Sequence, residues 1–355
     1  MLKSTKIVDF KEMLMKLKKN TKLSEIIKDN PAIVDYLTER DSRFKLLKNP
    51  LIVQVMAPHV SLSRMAKRVG IPFEELVSII EEGMEHIDPE KTKKFEDSMK
   101  ELTDIKEKIK YLMKRLFEEG EDVDTIKEEF KELVSKANPL LIAAAEAELT
   151  QEGYTMSDLM KACDVHMELF KEGLSSSRRK VSKGHPLWRL IKDHDAMLFW
   201  FERGLEISKE LAKRKDYDEA KELIEELKKI MQKLKASENH DVRQENTLFP
   251  VLEKYGVEEP PAIMWEEHSM MKERRNRIEK RLSDIPNIPY EDFVRETNAD
   301  FIYLVETFIK HTQKEQEILY NVALDLLSDR DWEEIEKESD ELGYFELPKE
   351  VLEDE

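Results

Sequence analysis

The chain has 355 residues, 77 acidic against 59 basic, and a formal net charge of -18. Acidity spread along the chain with no basic stripe excludes nucleic acid and anionic lipid as natural partners. A single cysteine, Cys163, excludes an intrachain disulfide, and no apolar run approaches the roughly 18 residues of a membrane span, so a reducing, cytoplasmic home is expected.

Charged residues make up 38% of the chain, glycine occurs 9 times, and apolar residues recur at spacings of three and four. The expected fold class is therefore all-α. The Lys-rich start "KSTKIVDFKEMLMKLKKNTK" lacks the continuous apolar block of a secretory signal. Residues 1–90 read as a small helical domain. In "TKLSEIIKDNPAIVDYL", Thr21 or Lys22 precedes a helix with Glu25 near its start, and a second helix begins around Pro31. "VSLSRMAKRVGIPFEELVSIIEEG" reads as two short helices bent at Gly70-Ile71-Pro72. A helix-turn-helix DNA reader has that outline, but the acidity of the chain argues against it.

Residues 91–177 read as a second helical domain whose segments end at or near a glycine. Within it Cys163 and His166 stand three apart; with no second pair in the sequence, they read as a buried thiol and a partly exposed imidazole. The polar, basic stretch around 178–185 reads as a linker.

From Pro186 four long helices are expected, at about 186–214, 217–253, 261–283 and 290–327, with an acidic tail over 329–355. Short joints make neighbouring helices antiparallel, giving an up-down-up-down four-helix bundle. Each helix carries one interior histidine: His194, His240, His268 and His311. At about 1.5 Å per residue, His194 and His240 both lie roughly 30 to 34 Å from the joint that connects their helices, so they share a level. His268 and His311 match in the same way, which brings four imidazoles into one layer.

"HDVRQENTLFPVLEKYG" and "HTQKEQEILYNVAL" repeat one pattern, with Gln244 and Glu245 standing where Glu315 and Gln316 stand. Glu315, four residues after His311, can face the same interior spot as its histidine. Glu245, five residues after His240, is about 140° away in an ideal helix, so it must reach, or the helix must widen locally into a π turn. Imidazole with carboxylate suits iron, manganese or zinc, and two metals bridged by the acids would use the whole set. Met197 and Leu198 beside His194, Met264, Trp265 and Met271 beside His268, and Phe308 beside His311 are expected to shield a small apolar pocket.

At "IKDHDAML", "HDVRQENTLFPVLEKYG", "MWEEHSMM" and "HTQKEQEILY" the C-terminal region resembles the hemerythrin-like, HHE cation-binding family. That resemblance implies a di-iron centre held by His194, His240, His268 and His311, with Glu245 and Glu315 bridging. It further implies binding or sensing of O2, nitric oxide or peroxide. The alternatives are an enzyme in peroxide or nitric oxide detoxification or iron-sulfur cluster repair, and an iron-storage scaffold.

Oxygen-carrying members of the family place two histidines a turn apart on the third helix. Here Met264 and Lys272 flank His268 instead, leaving the set one imidazole short. His185 is the available substitute, although Pro186 puts it at the helix start, where capping is the alternative role. The N-terminal segments resemble small domains of unknown function that precede such bundles in bacterial and archaeal proteins, and they are the expected contact for a protein partner. The module that accompanies iron-sulfur repair proteins carries cysteines there, and this chain has none before Cys163.

Overall fold

A computed structural model of the chain describes residues 17–84, 89–119, 126, 129, 133, 139–160 and 181–353. Cys163, His166 and residues 178–180 of the expected linker lie outside these residues. All described elements are helices, and none is long and apolar enough to cross a membrane. The chain forms two compact units, each of which it enters more than once. The first comprises Met1–Val165 with Val251–Glu259 and Val322–Ser328; the second comprises His166–Pro250, Pro260–Asn321 and Asp329–Glu355.

The first unit begins with α1 (Leu23–Asp29), α2 (Ile33–Arg40), a 3-10 turn (Ser42–Lys48), α3 (Pro50–Met56), α4 (Leu62–Val69) and α5 (Phe73–Met84). The starts follow capping chemistry. Glu25 accepts the Lys22 backbone N–H at 2.9 Å, the Asn49 side chain accepts from Leu51 ahead of Pro50, and the Ser61 hydroxyl accepts from Arg64. α4 ends at Gly70, whose φ of 69° is left-handed and free of strain only for glycine. α6 (Pro89–Lys114) runs into a π turn (Arg115–Glu119) and packs on α7 (Pro139–Gln151). On this pair the buried Lys110 ammonium bridges Glu148 at 2.6 Å and Glu152 at 2.9 Å.

The second unit is the four-helix bundle. Its helices are α8 (Pro186–Leu211), α9 (Lys221–Arg243), α11 (Glu259–Ser283) and α12 (Tyr290–Lys314). A π turn (Gln244–Leu248) joins α9 to the short α10 (Phe249–Lys254), and another (Glu315–Leu319) joins α12 to α13 (Tyr320–Leu326). α8 lies against both α9 and α12. The core between the helices contains Phe201, Leu211, Leu227, Leu234, Phe293 and Phe301. Buried ion pairs fix α11: Arg281 and Arg274 both reach Asp300 of α12, and Arg275 reaches Asp241 of α9 at 3.3 Å.

The acidic segment after residue 328 belongs to this unit. α14 (Asp329–Leu342) buries Trp332, Ile335 and Ser339, which stand three and four residues apart and so form one stripe. Phe345 joins the bundle core, as does Val351 of α15 (Lys349–Glu353). Charge dominates the composition of this segment, but its few apolar residues fall on one face.

The approach of α8 to α12 is set by Gly204, where a Cβ would run into the ring of Phe301. Alanine has the better helix propensity by about 1 kcal/mol, yet overpacking costs about 1–3 kcal/mol. Gly204→Ala should therefore lower the thermal unfolding midpoint, as circular dichroism would read; an increase would show that the helices have room to part.

Candidate metal centre

The site is built on the two π turns. In each, an i to i-5 hydrogen bond replaces the i-4 pattern: the Phe249 N–H donates to the Gln244 carbonyl and the Tyr320 N–H to the Glu315 carbonyl. A π turn carries one extra residue and shifts the angular position of those that follow. Gln244 and Glu315, each four residues after a histidine, are fully buried in the layer. Glu245 and Gln316, one residue further on, reach the outer ring nitrogens of histidines on other helices.

All four histidines turn Nε2 inward. His194 and His240 bring their Nε2 atoms to 3.2 Å, and His268 and His311 to 3.1 Å. Glu315 lies between the pairs with one oxygen toward each. Its Oε2 is 2.6 Å from His194 Nε2 and 3.9 Å from His240 Nε2, while its Oε1 is 3.3 Å from His311 Nε2 and 3.8 Å from His268 Nε2. The donor atoms form two groups, His194, His240 and Glu315, and His268, His311 and Glu315, each lying within 4.8 Å.

An outer ring holds the imidazoles from behind. His311 Nδ1 meets Glu267 at 2.8 Å, His268 Nδ1 meets Glu245 at 2.9 Å, His240 Nδ1 meets Asp193 at 3.4 Å, and His194 Nδ1 meets the Gln316 amide at 3.0 Å. A carboxylate behind Nδ1 holds the proton there and leaves the Nε2 lone pair facing the centre. Two of the acids are anchored in turn: Arg189 and Arg243 bind Asp193, and Lys314 binds Glu267 at 2.7 Å. Buried Phe308 meets His194 edge-on at 6.1 Å, and Tyr320 and Phe249 stack on His194 and His268 at 5.9 and 6.1 Å.

This donor set fits cations. The Nε2 atoms of His194 and His240 lie 3.2 Å apart, and both can lie about 2.1 Å from one ion between them, because their separation is less than twice that bond length. Glu315 Oε1 is buried with no hydrogen-bond partner, a cost that a cation in the layer would remove. Without one, the layer holds protons. Burial opposes the charged imidazole, but Asp241, Glu245 and Glu315 outweigh it and push His268 up to about 10. Burial would raise the Glu315 carboxyl, and the surrounding imidazoles instead hold it well below the usual carboxylate range. Burial, followed by the Glu315 charge, pushes the Tyr320 phenol well above its ordinary value.

Of the residues expected at the site, the structure brings together His194, His240, His268, His311 and Glu315. It places Glu245 elsewhere, behind His268 Nδ1 with its side chain 26% exposed, because Gln244 takes the inward position at the start of the π turn. His185 stands outside the layer as the N-cap of α8. Its Nδ1 accepts the Leu187 N–H at 3.2 Å and its ring lies 4.5 Å from Trp332. Pro186 at the first helical position fixes that role. Met197, Met264, Met271 and Phe308 are buried as expected of a shielding wall, whereas Trp265 is exposed.

Sequence reasoning missed the outer ring, although a signal was present: an acid immediately precedes each downward histidine, as Asp193-His194 and Glu267-His268. Asp241, next to His240, was missed as well, and its carboxylate stands 4.0 Å from His268 Nε2.

Two outcomes follow. Glu267→Ala should weaken metal binding about 10- to 100-fold while leaving all four imidazoles in place, measurable by competition with a chelator. Zinc binding near neutral pH should release the proton that His268 retains up to about pH 10, so affinity should rise with pH from neutrality toward that value. A titration in weak buffer reads the released protons, and a pH-independent affinity would contradict the placement of the carboxylates around His268.

Comparison with known families places these residues in context. Residues 185–323 match the Hemerythrin HHE cation binding domain. Upstream, residues 17–77 match a domain of unknown function (DUF1858) and residues 109–176 a family of unknown function (DUF438). Comparison with curated proteins gives no match. The segment that matches the Hemerythrin HHE cation binding domain, residues 185–323, contains every histidine of the layer and its shared carboxylate, and it follows the segments that match DUF1858 and DUF438.

Proposed function

We propose that the bundle holds two iron ions and binds or senses a small ligand, O2, nitric oxide or peroxide. The observation that carries this reading is Glu315, a single buried carboxylate with one oxygen toward each histidine pair. One structural cation would need only one of those pairs, whereas a shared carboxylate between two pairs suits a dinuclear centre. Imidazole and carboxylate donors favour iron, with manganese and zinc as competitors that the same experiment distinguishes. Iron in its reduced state would supply one-electron chemistry and coordination positions open to diatomic ligands.

The chain's own residues supply the rest. His194, His240, His268 and His311 would bind through Nε2, and Asp193, Glu245 and Glu267 keep the remaining ring protons on Nδ1. Met197, Met271 and Phe308, all buried, exclude water from the layer. The DUF1858 and DUF438 regions are the natural surface for a protein partner that reads the state of the centre.

Protein purified without oxygen should contain two irons per chain, and its absorption should change when the reduced form meets O2, nitric oxide or peroxide. Reduced, iron-loaded protein that responds to none of the three would overturn the sensing reading. Continued consumption of peroxide or nitric oxide under excess reductant would instead identify an enzyme. Two manganese or zinc ions in place of iron would overturn the assignment of the metal.

A further inference from the structure

We propose that Tyr320 supplies a phenolate oxygen to the cation held between His194 and His240, which makes the two halves of the centre chemically unequal. The inference rests on the preceding reading in requiring a cation at that pair. Its basis is geometric. The Tyr320 hydroxyl, fully enclosed, lies 3.3 Å from His194 Nε2 and 3.2 Å from Glu315 Oε2, and those two atoms are 2.6 Å apart. All three separations are shorter than twice a bond of about 2.1 Å, so one ion can touch all three atoms.

The duplicated motif provides an internal comparison. Tyr320 follows His311 by nine residues, and Phe249 follows His240 by nine. The two rings do the same packing work: Tyr320 lies on His194 at 5.9 Å with planes 11° apart, and Phe249 lies on His268 at 6.1 Å with planes 15° apart. Phenylalanine therefore satisfies the fold at this position. The hydroxyl is present on one side only, and it points among the metal-facing atoms.

Gln244 carries the second argument. Its counterpart in the repeat is Glu315, so the pattern would permit a carboxylate here. The chain has an amide instead, and its Nε2 donates to the Tyr320 oxygen at 2.6 Å. A donated hydrogen bond favours an oxygen that has lost its proton, whereas a carboxylate at the same place would repel it. The swap of Glu for Gln in the first hairpin and of Phe for Tyr in the second are then one feature, a phenolate and its donor. On ligation the phenolic O–H bond breaks, the proton leaves to solvent and the oxygen lone pair goes to the cation, with no change of oxidation state. The phenolate adds a second negative charge beside Glu315 against two multivalent cations.

The test uses the full chain loaded with iron and oxidised to the ferric state. A visible phenolate-to-iron absorption band is expected, and Raman excitation within it should enhance tyrosine ring modes. Tyr320→Phe should lose the band entirely and keep two irons per chain, with the His194 and His240 ion bound about 10-fold more weakly. Gln244→Glu, with Tyr320 intact, should shift or diminish the same band. Iron-loaded wild type with no tyrosine enhancement, or with a spectrum that Tyr320→Phe leaves unchanged, would overturn the proposal while leaving the two-iron reading standing. Wild type that takes up no metal would overturn both. The Raman measurement on wild type tests for a tyrosine ligand without any variant, and Tyr320→Phe assigns it to Tyr320.

Discussion

A carboxylate buried among four imidazoles is the constraint on which the bundle depends. Placing Glu315 beyond the reach of water is costly unless positive charge surrounds it. Protons on the imidazoles can supply that charge, and cations can supply it better, because they satisfy the facing Nε2 lone pairs at the same time. The level of the histidines along their helices, the two π turns and the outer ring of acids all serve this arrangement. The apolar core around Phe201, Phe293 and Phe301 keeps the helices at the spacing it requires.

The outer ring shows how orientation is secured. Two of the three acids behind the imidazoles are themselves tied down, Asp193 by Arg189 and Arg243, and Glu267 by Lys314. Buried ion pairs add little to net stability, since desolvation offsets their attraction. Their effect is to hold each ring in one rotation, so that the Nε2 atoms converge before any cation arrives. The arrangement is doubled across the bundle, and the doubling breaks at two positions: Gln244 stands where the other repeat has Glu315, and Phe249 where it has Tyr320. Packing tolerates either member of each pair, so the break belongs to the centre and not to the core.

Much of this was legible in the residues. All-helical structure follows from apolar spacing, and the common level of the histidines follows from helix rise and short joints, since both are one-dimensional properties of a rod. The offset of Glu245 in an ideal helix leaves two ways to bring it inward, a side chain that reaches or a turn that widens after His240. A π turn is present there and another follows His311, but its consequence differs from the expectation: Gln244 takes the interior and Glu245 supports His268. Which of two adjacent residues faces inward depends on the register of the backbone hydrogen bonds, and that register is set by partners on other helices.

The sequence by itself determined the helical class, the histidine layer and the inward carboxylate of Glu315, because each depends on distance along one chain segment. Tertiary structure alone decided the tasks of Asp193, Glu245, Glu267 and Gln316, because a hydrogen bond to Nδ1 depends on the rotation of a ring that belongs to another helix. It likewise decided that His185 caps α8, that Trp332, Ile335 and Phe345 fold the acidic end onto the bundle, and that the Tyr320 hydroxyl lies beside both His194 and Glu315. The contact of Tyr320 with His194 joins residues 126 positions apart, and no local pattern encodes it.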